Sequence, residues 1–388
     1  MSANFYLSSH ANDHLHPRAA VVAARMEDFK HATEQELAWI EIWSASAMQK
    51  ICKRLGLRQQ VLATAIVYFR RFYLRNSYCE TEPALVAAAC CYVAAKAEET
   101  PVHVKSAVSE AKAVFNDMGL LNFTSDNNRL AEMEFYLIEE LDFHLVVYHP
   151  YRSLVQLCGR DGNPNAGGEE GRQSRAAMLE MDDTALQMAW FIINDTFRSS
   201  ICLIHPPHLT ALAAIYLAFS LHPPRSAASL IEAPPPPPPP REGVAGRLRR
   251  QSFEATGTGN SSSTGSTSSS PGGSNSNSAA AKPGPGGRTD PITFLAALQV
   301  DQTLVLEIVQ EIISLYELWA QLESPSSASP SRPASPSPAQ RSQAGPDERV
   351  VQLIRRMQES RMRDLRDERQ RAVQAATGGG GAQGRKVG

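Results

Sequence analysis

The sequence lacks a dominant charge. Its 388 residues carry 38 Lys and Arg against 40 Asp and Glu, a formal net charge of -2. A chain held to nucleic acid by its whole surface would show a basic excess, so no direct nucleic-acid partner is expected. The six cysteines, Cys52, Cys79, Cys90, Cys91, Cys158 and Cys202, contain no C-x-x-C pair. That removes a zinc ribbon and a dithiol redox motif, and they read as reduced core residues of a cytosolic or nuclear protein. No Walker-type loop and no G-x-G-x-x-G occurs. No nucleophile–base pair stands out, so no catalytic group and no cofactor are expected. His10, His14 and His16 lie close together without a fourth spaced ligand, and His205 and His208 flank a Pro-Pro helix start. These read as N-terminal polar residues and cap-region residues, and no metal is expected. The opening MSANFYLSSHANDHLH has no apolar core of signal-peptide type. No run reaches the ~20 apolar residues a membrane span needs, so no membrane partner is expected.

What the chain does have is helical periodicity. Pro83–Ala95 carries no charge, and then Lys96, Glu98 and Glu99 arrive together. A helix apolar all round is one enclosed by other helices. Around it, Glu34–Leu55 spaces Leu37, Ile40, Trp43, Ala47 and Ile51 by three or four, and Gln59–Leu74 repeats that pattern. Val102–Phe115 and Asn127–Leu141 complete five helices before Pro150, the last capped by Ser125 or Asp126. No period-two alternation reads as a strand. A second set follows: Tyr151–Cys158, Ala176–Phe197, Pro206–Leu221, Ile292–Leu298 and Asp301–Leu322. Its own nearly uncharged helix, His208–Leu221, takes the matching third place. The duplication is of helix order, not of residues.

Three stretches lack any folding signal: the proline run 234–240, the Ser/Gly/Asn segment 256–288 and the Ser/Pro tract 324–346. Such chains bury too little surface to offset their ordering entropy. The fold class is therefore all-α: two tandem five-helix repeats, 34–146 and 150–322, the second interrupted by a disordered insertion at 223–290. An N-terminal segment, 1–33, precedes them, and a disordered Ser/Pro-rich and Arg-rich tail, 323–388, follows. Within the tail, Val350, Leu353, Ile354 and Met357 share one helical face. A solvated, partly helical tail is the preferred reading over a partner-binding helix. The Ser-Pro pairs at Ser270, Ser324, Ser329, Ser335 and Ser337 are candidates for proline-directed phosphorylation, although such a composition also produces them by chance.

One carboxylate is out of place. At 100° per residue, Glu134 falls inside the apolar arc of Leu130, Leu137 and Leu141. A carboxylate there is costly unless paired. The nearest plausible cation is Lys96, which also suits a helix C-terminus. Two readings stay open: an internal Lys96–Glu134 ion pair that locks two helices, or two head groups that emerge together and bond a partner.

The motifs VAAKAEETP and LAEMEFYLIEELDFHL, in the third and fifth helices of the first of two repeats, resemble those of the cyclins. The resemblance implies a lysine and a glutamate that bind a cyclin-dependent kinase, here Lys96 and Glu134, with Glu98 and Glu99 beside them. Ala97 would leave room for a bulky kinase residue. NFYLSSH, LRQQVLATAIVYFRRFYLR and AWFIINDTFRSSICLIHPPHLTALAAIYLA narrow the likeness to the cyclin C type, the cyclin of the Mediator kinase module. That implies a regulatory subunit, not an enzyme, acting with the Mediator kinase in the nucleus on RNA polymerase II transcription, in activation and repression. The M-R-A-I-L substrate-docking motif of cell-cycle cyclins is missing from Trp39–Met48. Asn194, Asp195 and Thr196 lie in an otherwise apolar run after Trp190. They either brace the repeats or form, with Tyr6, Glu98 and Glu99, a groove for another Mediator kinase-module subunit. A DNA-bound factor of the TFIIB type, also built from two such repeats, is the alternative. It would bring a zinc ribbon and a basic surface.

Overall fold

The computed structural model describes residues 4–158, 179, 181–222, 291–324 and 345–378. The insertion at 223–290, and all but the ends of the 324–346 tract, lie outside these. The N-terminal segment forms α1 (Ser9–Asp13) and α2 (Arg18–Ala23). The first repeat is α3 (Glu34–Arg54), α4 (Gln59–Phe72), α5 (Pro83–Ala97), α6 (Val104–Asp117) and α7 (Asn127–Glu140). The second has α8 (Pro150–Leu157), α9 (Asp183–Thr196), α10 (Ile201–Ile204), α11 (Pro207–Leu221), α12 (Pro291–Ala297) and α13 (Gln302–Glu323). Among the described residues there is no strand.

Each repeat encloses its apolar helix, as all-round hydrophobicity requires. α5 packs against α3, α4, α6 and α7, and α11 against α8, α9, α10 and α13. Ala87, Cys90, Ala94 and Ala95 on α5 have no exposed surface, nor do Ala211, Ala213, Ala214 and Ile215 on α11. The alanines let neighbouring helices approach closely. Pro83 and Pro207 stand at first-turn positions, where a missing N–H costs nothing. α3 opens with a capping box: Thr33 Oγ1 accepts from Glu36 N and the Glu36 carboxylate accepts from Thr33 N. Asp126, not Ser125, caps α7, accepting from Asn128 N at 2.9 Å.

Polar side chains cross the seam between the repeats. Arg198 donates to Ser46 Oγ (2.7 Å) and Gln49 Oε1 (2.8 Å) on α3, with its guanidinium 4.1 Å from the Trp319 ring centroid. Arg70, paired with Glu41 at 2.6 Å, donates to Phe197 O.

Two expectations are corrected. His10 and His14, read as N-terminal polar residues, are buried. Beside the inter-repeat connection, His10 Nδ1 accepts from Tyr148 N (3.0 Å) and His14 Nε2 lies 3.2 Å from His144 Nδ1. The second correction concerns the disordered tail. Residues Pro346–Gly378 form one helix, α14, whose first turns pack on α3. The apolar face noted in the sequence meets a complementary face, and that burial offsets the ordering entropy.

Candidate functional site

α5 and α7 converge where α5 ends. Lys96 Nζ donates to Glu134 Oε1 at 2.6 Å and lies 4.2 Å from the Tyr92 ring centroid. The Glu134 side chain is 15% exposed and that of Lys96 40%, so the carboxylate is the inner partner. Partial burial works against the Lys96 charge, but hydrogen bonds with Glu134 and Tyr92 outweigh it and hold the ammonium above its ordinary pKa. The structure thus brings together the two residues that the sequence singled out. An ion pair this open to water contributes only ~0.2–1 kcal/mol to stability.

The backbone at the ends of α5 and α7 is unusual. α5 ends in a Schellman turn: Thr100 N donates to Ala95 O (2.8 Å) and Glu99 N to Lys96 O (3.2 Å). α7 ends the same way, through Phe143 N to Ile138 O (3.1 Å) and Asp142 N to Glu139 O (2.9 Å). Such turns need a left-handed residue. α3 and α6 place glycine there, Gly56 (φ 67) and Gly119 (φ 86), whereas α5 uses Glu99 (φ 55) and α7 uses Asp142 (φ 51) followed by Phe143 (φ 60). A non-glycine residue pays up to ~1–2 kcal/mol to sit there, and such strain concentrates at functional sites.

Glu98 turns away from Lys96. Its carboxylate accepts from Thr64 Oγ1 (2.6 Å) and Gln60 Nε2 (2.8 Å) on α4. Ala97 and Glu99 are exposed beside Lys96. Sequence reasoning missed exposed apolar side chains on α7 and in the segment after it. Phe135 is 75% exposed, Phe143 72% and Val146 65%. The available signal was Phe135 itself, an aromatic outside the apolar arc of α7.

The other residues singled out divide. Trp190 stacks on Tyr151 (centroids 4.5 Å apart), whose hydroxyl donates to Asn194 Oδ1 at 2.7 Å. Asp195 accepts from Tyr316 Oη (3.1 Å), and buried Thr196 donates to Ile193 O. Burial raises the Asp195 pKa against the opposing hydrogen bond from Tyr316. These polar groups are engaged inside the second repeat. Tyr6 is exposed and contacts Phe5 and His208 instead. His205 is the C-cap of α10, its N–H donating to Ile201 O (2.9 Å), and its Nε2 also lies 2.9 Å from Glu311 Oε1. Ligand atoms of His205, Glu307 and Glu311 fall within 4.8 Å of one another. The Arg18 guanidinium bonds both carboxylates and supplies the positive charge there. No described helix is long and apolar enough to cross a membrane.

Residues 42–146 match the family model of the cyclin N-terminal domain. The RNA polymerase II holoenzyme cyclin-like subunit of Mycosarcoma maydis is 33% identical over 412 residues, covering 93% of this chain and 96% of that protein. Cyclin-C of Rattus norvegicus is 35% identical over 223 residues, covering 56% of this chain and 72% of its own length. Cyclin-C1-2 of Arabidopsis thaliana is 34% identical, covering 57% and 79%.

Proposed function

Because the chain belongs to the cyclin family, we propose that the face built by Lys96, Glu134, Phe135 and Phe143 holds a cyclin-dependent kinase. The chain is then a regulatory subunit and supplies no catalytic group. The single observation that carries the reading is the part-buried Lys96–Glu134 pair at 2.6 Å, with the exposed Phe135 adjoining Glu134 on α7. An interface core is apolar, and a few charged groups set its register. The likeness to the holoenzyme subunit of Mycosarcoma maydis supports a place in RNA polymerase II transcription. The Mediator kinase module, and hence the nucleus, follows as the finer part of the proposal.

Phosphoryl transfer needs the kinase's β3 lysine paired with the glutamate of its helix αC. A cyclin that packs on αC favours that state only by binding it more tightly than the inactive one. In this reading Lys96 and Glu134 bond the kinase helix and nearby backbone, Ala97 leaves space, and Glu99 presents its carboxylate from a left-handed turn. Tyr6 and Trp190 are proposed as contacts for another module subunit, while Asn194, Asp195 and Thr196 brace the second repeat from within.

The test is kinase co-purification and activity with Lys96→Ala, Glu134→Ala and the exchange Lys96→Glu/Glu134→Lys. Each single change is expected to lower kinase affinity at least about tenfold, equal to ~1.4 kcal/mol. The exchange rebuilds the ion pair but is expected not to restore the kinase. Full rescue by the exchange would reduce the pair to an internal lock. Salt-sensitive retention on DNA, with no kinase, would favour the TFIIB-type reading.

A further inference from the structure

The outward face of α3 is covered by the chain's own α14. Val350 and Met357 have no exposed surface, and Val351 and Leu353 are nearly closed off. Val350, Leu353 and Met357 stand at i, i+3 and i+7, the stripe of a helix lying in a groove. Beside the helix the groove stays partly open. A cavity of about 270 Å³ remains, bounded by Trp43, Pro83, Leu120 and Phe123 on one side and by Ile354 and Gln358 on the other.

The rim is charged, and the charges match. Arg356 Nη2 lies 2.6 Å from Glu36 Oε1. Arg361 lies 2.7 Å from Glu80 and 3.0 Å from Glu27. Gln358 Nε2 donates to Thr81 O at 2.7 Å, and Lys50 pairs with Asp347 at 3.1 Å. At its start, α14 is fastened to the end of α13 by Arg349, which donates to the carbonyls of Leu322 and Ser324. Beyond Arg361 nearly every side chain through Gln374 is exposed. The contact therefore belongs to residues 346–361, which combine an apolar stripe with arginines that find acids.

We infer that residues 346–361 act as an intramolecular plug: they occupy the α3 groove in cis, and a basic amphipathic helix from elsewhere gains that groove only by displacing them. Covalent attachment holds a segment near its site at an effective concentration in the millimolar range. With an intrinsic affinity of ~10 µM for the groove, the tethered segment would then weaken the binding of a separate helix about 100-fold.

The test uses the full chain and a fluorescein-labelled synthetic peptide of residues 345–375, read by fluorescence anisotropy. The wild-type chain is expected to bind the peptide about 100-fold more weakly than the Met357→Asp chain, whose own helix no longer fits. A second chain, Arg356→Glu/Arg361→Glu, leaves the apolar stripe intact and is expected to fall between them. Circular dichroism melts establish that each variant remains folded. A peptide that itself carries Met357→Asp is expected not to bind. Equal binding by wild-type and variant chains would overturn the inference. So would no binding by either variant while both melt cooperatively. A concentration-dependent dimer that Met357→Asp abolishes would place the helix in trans and overturn it as well.

Discussion

Glu99, Asp142 and Phe143 hold left-handed backbone at the ends of α5 and α7. Wherever α3 and α6 need a left-handed residue, glycine supplies it. The two helices that bear Lys96 and Glu134 use side chains instead. Asp142 is held in place by Arg75, whose hydrogen bond and charge keep the carboxyl below its ordinary pKa. Glu99→Gly is expected to stabilise the fold by up to about 1 kcal/mol, because glycine sits in that region without a Cβ penalty. The same change is expected to weaken kinase binding. Urea unfolding beside a kinase pull-down checks both, and an unchanged pull-down would make the strained backbone irrelevant to the interface.

At the level of elements, the capping box of α3 is a local device with a measurable role. Thr33→Ala is expected to lower stability by about 1 kcal/mol. Thermal melts check this, and a shift no larger than that of a distant surface substitution would argue against it. The elements themselves were largely legible. The charge-free run Pro83–Ala95 announced an enclosed helix, and the misplaced Glu134 announced a partner, found in Lys96. What was not legible is non-local. Whether Val350 and Met357 find a groove depends on α3, some 300 residues away in sequence, so no window around the tail could decide it. The burial of His10 and His14 was hidden for the same reason: their partners, Tyr148 and His144, lie some 130 residues away in sequence. The left-handed turns at Glu99 and Asp142 escaped notice because glycine is their usual signal.

For the molecule as a whole, buried histidines set an acid limit. Burial, followed by the nearby Arg71 charge, pushes His10, His14 and His149 down to about 3. An unfolded chain takes up these protons near pH 6.5, and the fold resists them until about pH 3. Their contribution to stability is therefore whole above about pH 6.5 and is lost progressively as pH falls toward 3. Urea midpoints measured from pH 8 to pH 4 are expected to hold level and then drop below about 6.5. A flat profile down to pH 5 would show that these imidazoles are not sheltered as described.

Arg198 and Arg70 rivet one half of the molecule to the other through Ser46, Gln49 and the Phe197 carbonyl. Two repeats tied in this way would behave as a spacer of constant span. A kinase gripped at the α5–α7 end and any subunit seated near Tyr6 would then be kept at an unvarying separation and angle. Communication between them would have to pass through their own mobile parts, with this chain as the bracket that sets their geometry.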